Sequence, residues 1–341
     1  MQVKILLNCP LPFALAHGGM ATQIVQTKAG LEAIGVEVEY LRWWDETQRG
    51  DLIHSFGSFS LSNVELARSK KIPVVITSLL SATCNRSDAR LRLQRCVTRS
   101  LLGLPFGEGI KRQLLWRVYT ACARNLVGLQ AERQVLEYVY GVPRERIALI
   151  PLGLPDIFLN AGAGDRKAEP LVCIGTITAQ KNCVPLARLA HQARVPVLFV
   201  GKPYFENDPY WAEFQKLVDG VWVRHQPHVS DPAAMLALLH HARGAVVMSQ
   251  FENWCLVAHE AAACGLPVLL PDQKWSRERF GNQAHYFDSI GYSPSNIEIL
   301  KQFYADAPHL PAPSIKLFSW AEVAQQLINV YEQVLKNPDA A

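Results

Sequence analysis

Residues 249–272 read SQFENWCLVAHEAAACGLPVLLPD and hold two glutamates, Glu252 and Glu260, with seven residues between them. The preceding GAVVM is apolar and short enough for a buried strand. CLVAHEAAACG suits a helix closed at Gly265, and LPVLL suits a second buried strand. Strand, loop, helix and strand with few charges make a parallel β-α-β unit covered on both faces. Asn253 is placed to cap the helix. A helix start at Asn253, Trp254, Cys255 and Leu256 offers free N–H groups and a positive dipole end, which suit a diphosphate. Glu260 lies inside an almost wholly apolar run, where a carboxylate is costly unless it is paired or used. The bland explanation is an ion pair with an arginine or lysine. The chemical one is that two carboxylates flanking the helix start grip two polyols joined by a diphosphate, a nucleotide sugar.

The same alternation runs outward in both directions. VKILLNC at 3–9 reads as a strand, residues 20–34 as a helix ending near Gly35, and VEVEYL, DLIHSFG and IPVVITS as further strands. ARNLV, a helix from about residue 130, and RIALIPL complete a first half. Residues 153–170, GLPDIFLNAGAGDRKAEP, lack sustained periodicity and read as a linker or hinge. Alternation restarts with LVCIGTI and continues through VPVLFVG, VWVRHQ and GAVVMS to LPVLLP. The predicted fold class is α/β, with two Rossmann-like doubly wound domains facing a central cleft. Ligands of open α/β sheets bind at strand C-terminal ends, which makes that cleft the expected site. The last helix carries an apolar stripe of Val323, Leu327, Val330, Tyr331 and Leu335.

Composition fits this reading. The chain has 341 residues, too many for one ordinary core, with 19% charged and 49% hydrophobic residues. No apolar run reaches the roughly 18 residues of a spanning helix. The N-terminal MQVKILLNCPLPFALAHGG passes straight into a strand–turn–helix pattern, unlike a secretory signal. Eight scattered cysteines without a C-x-x-C pair suit a reducing cytoplasm and buried thiols, Cys255 included. Between residues 86 and 117 stand eight basic residues (Arg86, Arg90, Arg92, Arg95, Arg99, Lys111, Arg112 and Arg117) and only Asp88 and Glu108 as acids. The net +6 exceeds the +4 of the whole chain. A solvated amphipathic helix is the plain reading of this patch. An anionic lipid headgroup or phosphorylated acceptor is the sharper one. No nucleic-acid module is present, and nucleic acid is not an expected partner.

The stretch SQFENWCLVAHEAAACGLPVL resembles the Glu-x7-Glu signature of retaining glycosyltransferases of the GT-B fold, most closely glycosyltransferase family four. GVPRERIALIPLGLPDIF is similar to that family's end of the first domain, and FSWAEVAQQLINVYEQVL to its last helix, so the resemblance covers nearly the whole chain. It implies an acceptor-binding domain over 1–152, a nucleotide-sugar-binding domain over 153–318, and a helix over 319–341 that crosses back to the first. It implies that Glu252 contacts donor-sugar hydroxyls and Glu260 the ribose. Backbone around Trp254, Cys255 and Leu256 would face the sugar and diphosphate. Gly18 and Gly19 of HGGM match the glycine-rich loop after the first strand, and Lys181 of GTITAQKN matches the phosphate clamp. Two positions depart from the pattern. Thr176 stands where the clamp has an arginine, and Leu79 follows Thr77 and Ser78 where a histidine is usual. His17 and His54 are the nearest alternatives to that histidine.

These readings predict a retaining transferase, cytoplasmic and associated with membrane, that needs no metal or other cofactor. It would move a sugar from a nucleotide-sugar donor to a glycan or lipid-linked acceptor. Glu252 and Lys181 would be its catalytic residues. Gly18, Gly19, Thr176, Asn253, Trp254, Cys255, Leu256 and Glu260 would form its donor site. Thr176 and Leu79 motivate an alternative, a catalytically weak nucleotide-sugar-binding partner of a glycan-assembly complex. A dinucleotide enzyme is disfavoured, because no G-x-G-x-x-G follows the first strand.

Overall fold

The computed structural model describes residues 3–10, 12–13, 18–57, 59–103, 114, 116–164 and 170–336. His17, Glu108, Lys111 and Arg112 lie outside the described residues. The chain divides into one unit of Met1–Gly153 with Trp320–Ala341, and a second of Leu154–Ser319.

The first unit is built on β1 (Lys4–Asn8), β2 (Glu37–Tyr40), β3 (Leu52–Phe56), β4 (Val74–Thr77), β5 (Arg124–Val127) and β6 (Ile147–Leu149). They form one parallel sheet in the order β2-β1-β3-β4-β5-β6. β3 and β4 are buried along their whole length, as expected of strands covered by helices on both faces. The chain leaves β1 toward β2 and returns to β3 on the other side, so the direction of winding reverses between β1 and β3. At that reversal the Asn8 amide donates to Ser55 Oγ at 2.8 Å.

The last helix, Trp320–Lys336, belongs to this first unit. Val323, Leu327, Val330 and Tyr331 are buried as the stripe predicts, but the next buried position is Val334 and not Leu335. A buried Val or Leu contributes about 1.5–3 kcal/mol. The helix enters against two glycines. A Cβ on Gly153 would lie 2.7 Å from the Trp320 backbone nitrogen, and one on Gly30 would lie 2.8 Å from its carbonyl oxygen.

His54 links this helix to the sheet. It is 1% exposed on β3, and its ring nitrogens are both engaged, Nε2 with Thr77 Oγ1 and Nδ1 with the Tyr331 hydroxyl, each at 2.7 Å. Burial pushes its pKa from the ordinary 6.5 down to about 3, so the ring is neutral. Burial also raises the Tyr331 phenol, which stays protonated. His54 is thus a core histidine, and the Thr77 hydroxyl is occupied by it. Of the two alternatives to the missing histidine, His54 has no nitrogen left for a ligand.

The second unit is built on β7 (Leu171–Ile174), β8 (Val197–Val200), β9 (Val223–Gln226), β10 (Gly244–Val246), β11 (Val268–Pro271) and β12 (His285–Phe287). They form a parallel sheet in the order β12-β11-β10-β7-β8-β9. Helix Cys183–Ala193 supplies the largest share of its core, with Leu186, Ala187, Leu189 and Ala190 fully covered. The segment read as a linker is partly structured. Leu154 donates to the Phe318 carbonyl at 2.8 Å, and Asp156–Leu159 forms one helical turn. β12 was not legible in the sequence: HYF is short and polar-flanked.

Removing the Tyr331 hydroxyl leaves His54 Nδ1 buried and unpaired. Tyr331→Phe is expected to cost about 1–3 kcal/mol in urea unfolding. An unchanged midpoint would mean that this bond contributes nothing.

Candidate functional site

In the second unit the chain winds from β7 to β8 and β9 on one side, then returns to β10, β11 and β12 on the other. Winding therefore reverses between β7 and β10, and ligands of such sheets bind outside the strand C-terminal ends at the reversal. Lys181 follows β7 and Glu252 follows β10. The Lys181 ammonium and the Glu252 carboxylate form an ion pair there, 29% and 12% exposed. The pair borders a cavity of about 10 Å³ that is also lined by Gly175, Cys183, Met248 and Ser249.

Several hydrogen bonds tie the two loops together. Gln250 N donates to the Gln180 carbonyl at 2.8 Å, and the Gln180 amide donates to the Phe251 carbonyl at 3.3 Å. The Asn182 amide donates to the Met248 carbonyl at 3.0 Å, and the Gln250 amide reaches the Ala179 carbonyl at 3.2 Å. Asn182 sits in the left-handed region with φ 54° and caps helix Cys183–Ala193. Gln180, Asn182 and Gln250 are positioning residues that sequence reasoning passed over. Their contacts span 66–71 residues, and no local pattern announces them.

Two opposing effects act on Lys181. Burial works to lower its pKa, but Glu252 beside it outweighs this, with Cys255 and Cys183 adding to the effect, and holds the ammonium above its usual value. The lysine is therefore charged, and in this ligand-free arrangement its charge is balanced by Glu252.

Helix Leu256–Ala263 begins later than expected. Its cap is Cys255, in the left-handed region with φ 57° and ψ 65°, and no side chain closes the first turn. Asn253 is not the cap. The backbone is held instead by burial. Trp254 is 5% exposed, stacks on His259 with ring centroids 5.1 Å apart, and carries the Arg279 guanidinium 3.5 Å from its ring. His259 Nδ1 donates to the Cys255 carbonyl at 3.1 Å, and burial brings the ring's pKa down to about 4. The Cys255 thiol is buried and its pKa is raised, first by burial and then by Glu252, so it is no nucleophile. Leu256 is half-buried at the first helical position.

Glu260 stands in the second turn of this helix. The bland expectation was a paired buried acid. Among the described residues its carboxylate has no hydrogen-bond or ion-pair partner, and burial alone raises its pKa from 4.5 to about 7. Glu132 in the first unit shows the contrast: it is fully buried but accepts backbone N–H bonds from Leu80, Gly128 and Leu129 at 2.9–3.1 Å.

Thr176 is half-buried two residues past the end of β7, within the loop that leads to Lys181. Gly18 and Gly19 lie in the first unit, where the chain passes from β1 into helix Gly19–Ala33. Gly18 has φ 111°, a value that favours glycine, and a Cβ on Gly19 would meet nothing within 4 Å. Among the described residues no three His, Cys, Asp or Glu side chains could hold a metal ion, and no helix is long and apolar enough to cross a membrane.

No protein-family model matches the chain, and no curated protein does. Solved structures match it over its whole length. Sucrose-phosphate synthase from Thermosynechococcus elongatus superposes with a TM-score of 0.70 at 16% identity, covering 98% of this chain and 99% of that one. HepE from Anabaena, solved in complex with UDP and glucose, gives 0.67 at 14% identity over 97% and 99%. AviGT4, a glycosyltransferase of avilamycin A biosynthesis, gives 0.61 at 15% identity over 98% of both chains. The two parallel six-stranded sheets with their flanking helices are the two-domain GT-B glycosyltransferase fold.

Because the folded carboxyl of Glu260 binds its proton more tightly than the unfolded one, the group lowers stability as pH rises from about 4.5 to about 7. Glu260→Gln removes the titration. In urea unfolding the variant should be more stable than wild type at pH 8 by on the order of 1–3 kcal/mol, a range discounted for the partial exposure of the residue, and equal to it below about pH 4. A variant less stable than wild type at pH 8 would contradict the unpartnered carboxylate.

Proposed function

We propose that the protein is a retaining glycosyltransferase, resembling family four, that moves a sugar from a nucleotide-sugar donor to an acceptor hydroxyl in polysaccharide or glycolipid biosynthesis. The observation that carries this reading is the Lys181–Glu252 pair at the β7/β10 reversal, with the unpartnered Glu260 carboxyl on the following helix. A cation at that point suits the diphosphate, and a partnerless carboxyl in a half-buried position suits a diol. The GT-B architecture and neighbours that include a UDP-bound structure agree with it.

The geometry supports a definite division of labour. Lys181 and the free N–H groups at the start of helix Leu256–Ala263 stabilise charge on the departing nucleoside diphosphate. Glu252 accepts hydrogen bonds from donor-sugar hydroxyls while holding Lys181 in place. Glu260 accepts from the ribose, where two hydroxyls replace the water lost on burial. The acceptor hydroxyl attacks from the face that the diphosphate leaves, and no protein-bound metal is required. The intact pair and the open carboxyl favour this reading over that of a binding partner without turnover.

For the acceptor, we infer contact with an anionic membrane through helix Asp88–Gly103. Only Thr98 of this helix is buried. Leu93 is 66% and Val97 48% exposed, beside a groove of about 440 Å³ that Arg90 and Trp116 also line. Arg90, Arg92 and Arg99 have no carboxylate partner among the described residues, while Arg95 lies over the Tyr138 ring. Unpaired arginines beside exposed leucine and valine complement a surface of anionic headgroups over acyl chains.

Transfer should be abolished by Glu260→Gln and by Glu252→Ala, with native circular dichroism retained. Near-wild-type turnover in both would end the assignment. On vesicles of phosphatidylcholine with 30% phosphatidylglycerol, about 0.1 M salt should allow binding and about 0.5 M salt should release it. Equal recovery on pure phosphatidylcholine, or none at low salt, would refute the membrane contact.

A further inference from the structure

Resting on the donor-site reading above, the geometry points to Lys202 as a second cation for the donor diphosphate, occupying the role that Thr176 leaves open. Lys181 alone brings no net charge, because Glu252 neutralises it. A leaving diphosphate carries several negative charges, so the site needs a cation that is not already balanced. Two other cations in the helix after β11 are committed. Arg277 is held by Asp272 through two bonds of 2.7 Å, and Arg279 lies over Trp254.

Lys202 follows β8, the neighbour of β7, and its loop is locked to the loop that carries Thr176. Gly175 N donates to the Val200 carbonyl at 3.0 Å, and Ile177 N to the Lys202 carbonyl at 3.1 Å. Gly201, with φ 158°, presses so closely that a Cβ there would lie 1.9 Å from the Gly175 carbonyl oxygen, a contact only glycine allows. Lys181 crosses the same glycine, its Cε 3.7 Å from a Cβ built on Gly175. The backbone at Lys202 and the side chain of Lys181 thus both adjoin the Gly175–Ile177 segment that carries Thr176. The Lys202 side chain is exposed and makes no ion pair among the described residues. Its charge adds to burial in lowering the pKa of His228, in the loop after β9.

The test is calorimetric titration of UDP, GDP and ADP, and of uridine, guanosine and adenosine, into wild type, Lys202→Ala, Lys202→Arg and Lys216→Ala. Lys216 is an exposed lysine elsewhere on the same unit and controls for overall charge. For whichever diphosphate binds wild type, Lys202→Ala should weaken affinity roughly 10-fold or more, as loss of one charge-assisted contact does. Nucleoside affinity should stay unchanged, Lys202→Arg should remain within about 3-fold of wild type, and Lys216→Ala should match wild type. Wild-type affinity in Lys202→Ala, or equal weakening in Lys216→Ala, would overturn the role of Lys202 and leave the donor site standing. No binding of any diphosphate to wild type would overturn the donor site and this inference with it.

Discussion

The second unit depends on how two loops, about 70 residues apart in sequence, are held together at the reversal of its sheet. β7 and β10 are neighbours, and the chain winds away from them in opposite directions. Parallel strands leave a crevice at such a point because no crossover covers it. Here the side-chain amides of Gln180, Asn182 and Gln250 tie the two loops together through backbone carbonyls. The ion pair of Lys181 and Glu252 joins the same two loops. A half-buried ion pair adds little net stability and costs desolvation, so its retention at this point fits a site that exchanges one partner for a ligand.

Acids and histidines divide along the same line. Glu132 and His54 are buried and satisfied, one by three backbone amides and the other by Thr77 and Tyr331. They hold the first unit together and offer nothing to a ligand. Glu260 has no such partners and pays for burial with a raised pKa. A half-buried carboxyl without protein partners is a stronger pointer to a ligand than burial alone.

Most strands were legible because buried parallel strands are short apolar runs between turn residues. β12 was not, since His285 and Tyr286 lack that character and are placed by pairing with β11. The glutamate pair and the helix after it were legible from spacing, but the cap was misplaced. Asn253 has the local preference for a cap, yet Cys255 takes the position because the burial of Trp254 against His259 and Arg279 sets the backbone. Local propensity gave way to packing. Lys181 could be singled out only through a resemblance, since one lysine in a loop carries no pattern. The lacing amides and Lys202 were invisible in the sequence because their meaning comes from which strands are neighbours. His54 stood as an alternative to the missing histidine, although both its ring nitrogens are engaged inside the core.

The measurement that bears most directly on the central claim is the affinity of a nucleoside diphosphate for wild type and for Lys181→Ala, with circular dichroism to verify the fold. A cation at the reversal point that holds the diphosphate predicts binding to wild type and a loss of roughly tenfold or more in the variant. Equal affinity in a folded variant, or no binding by wild type at millimolar concentration, would contradict it.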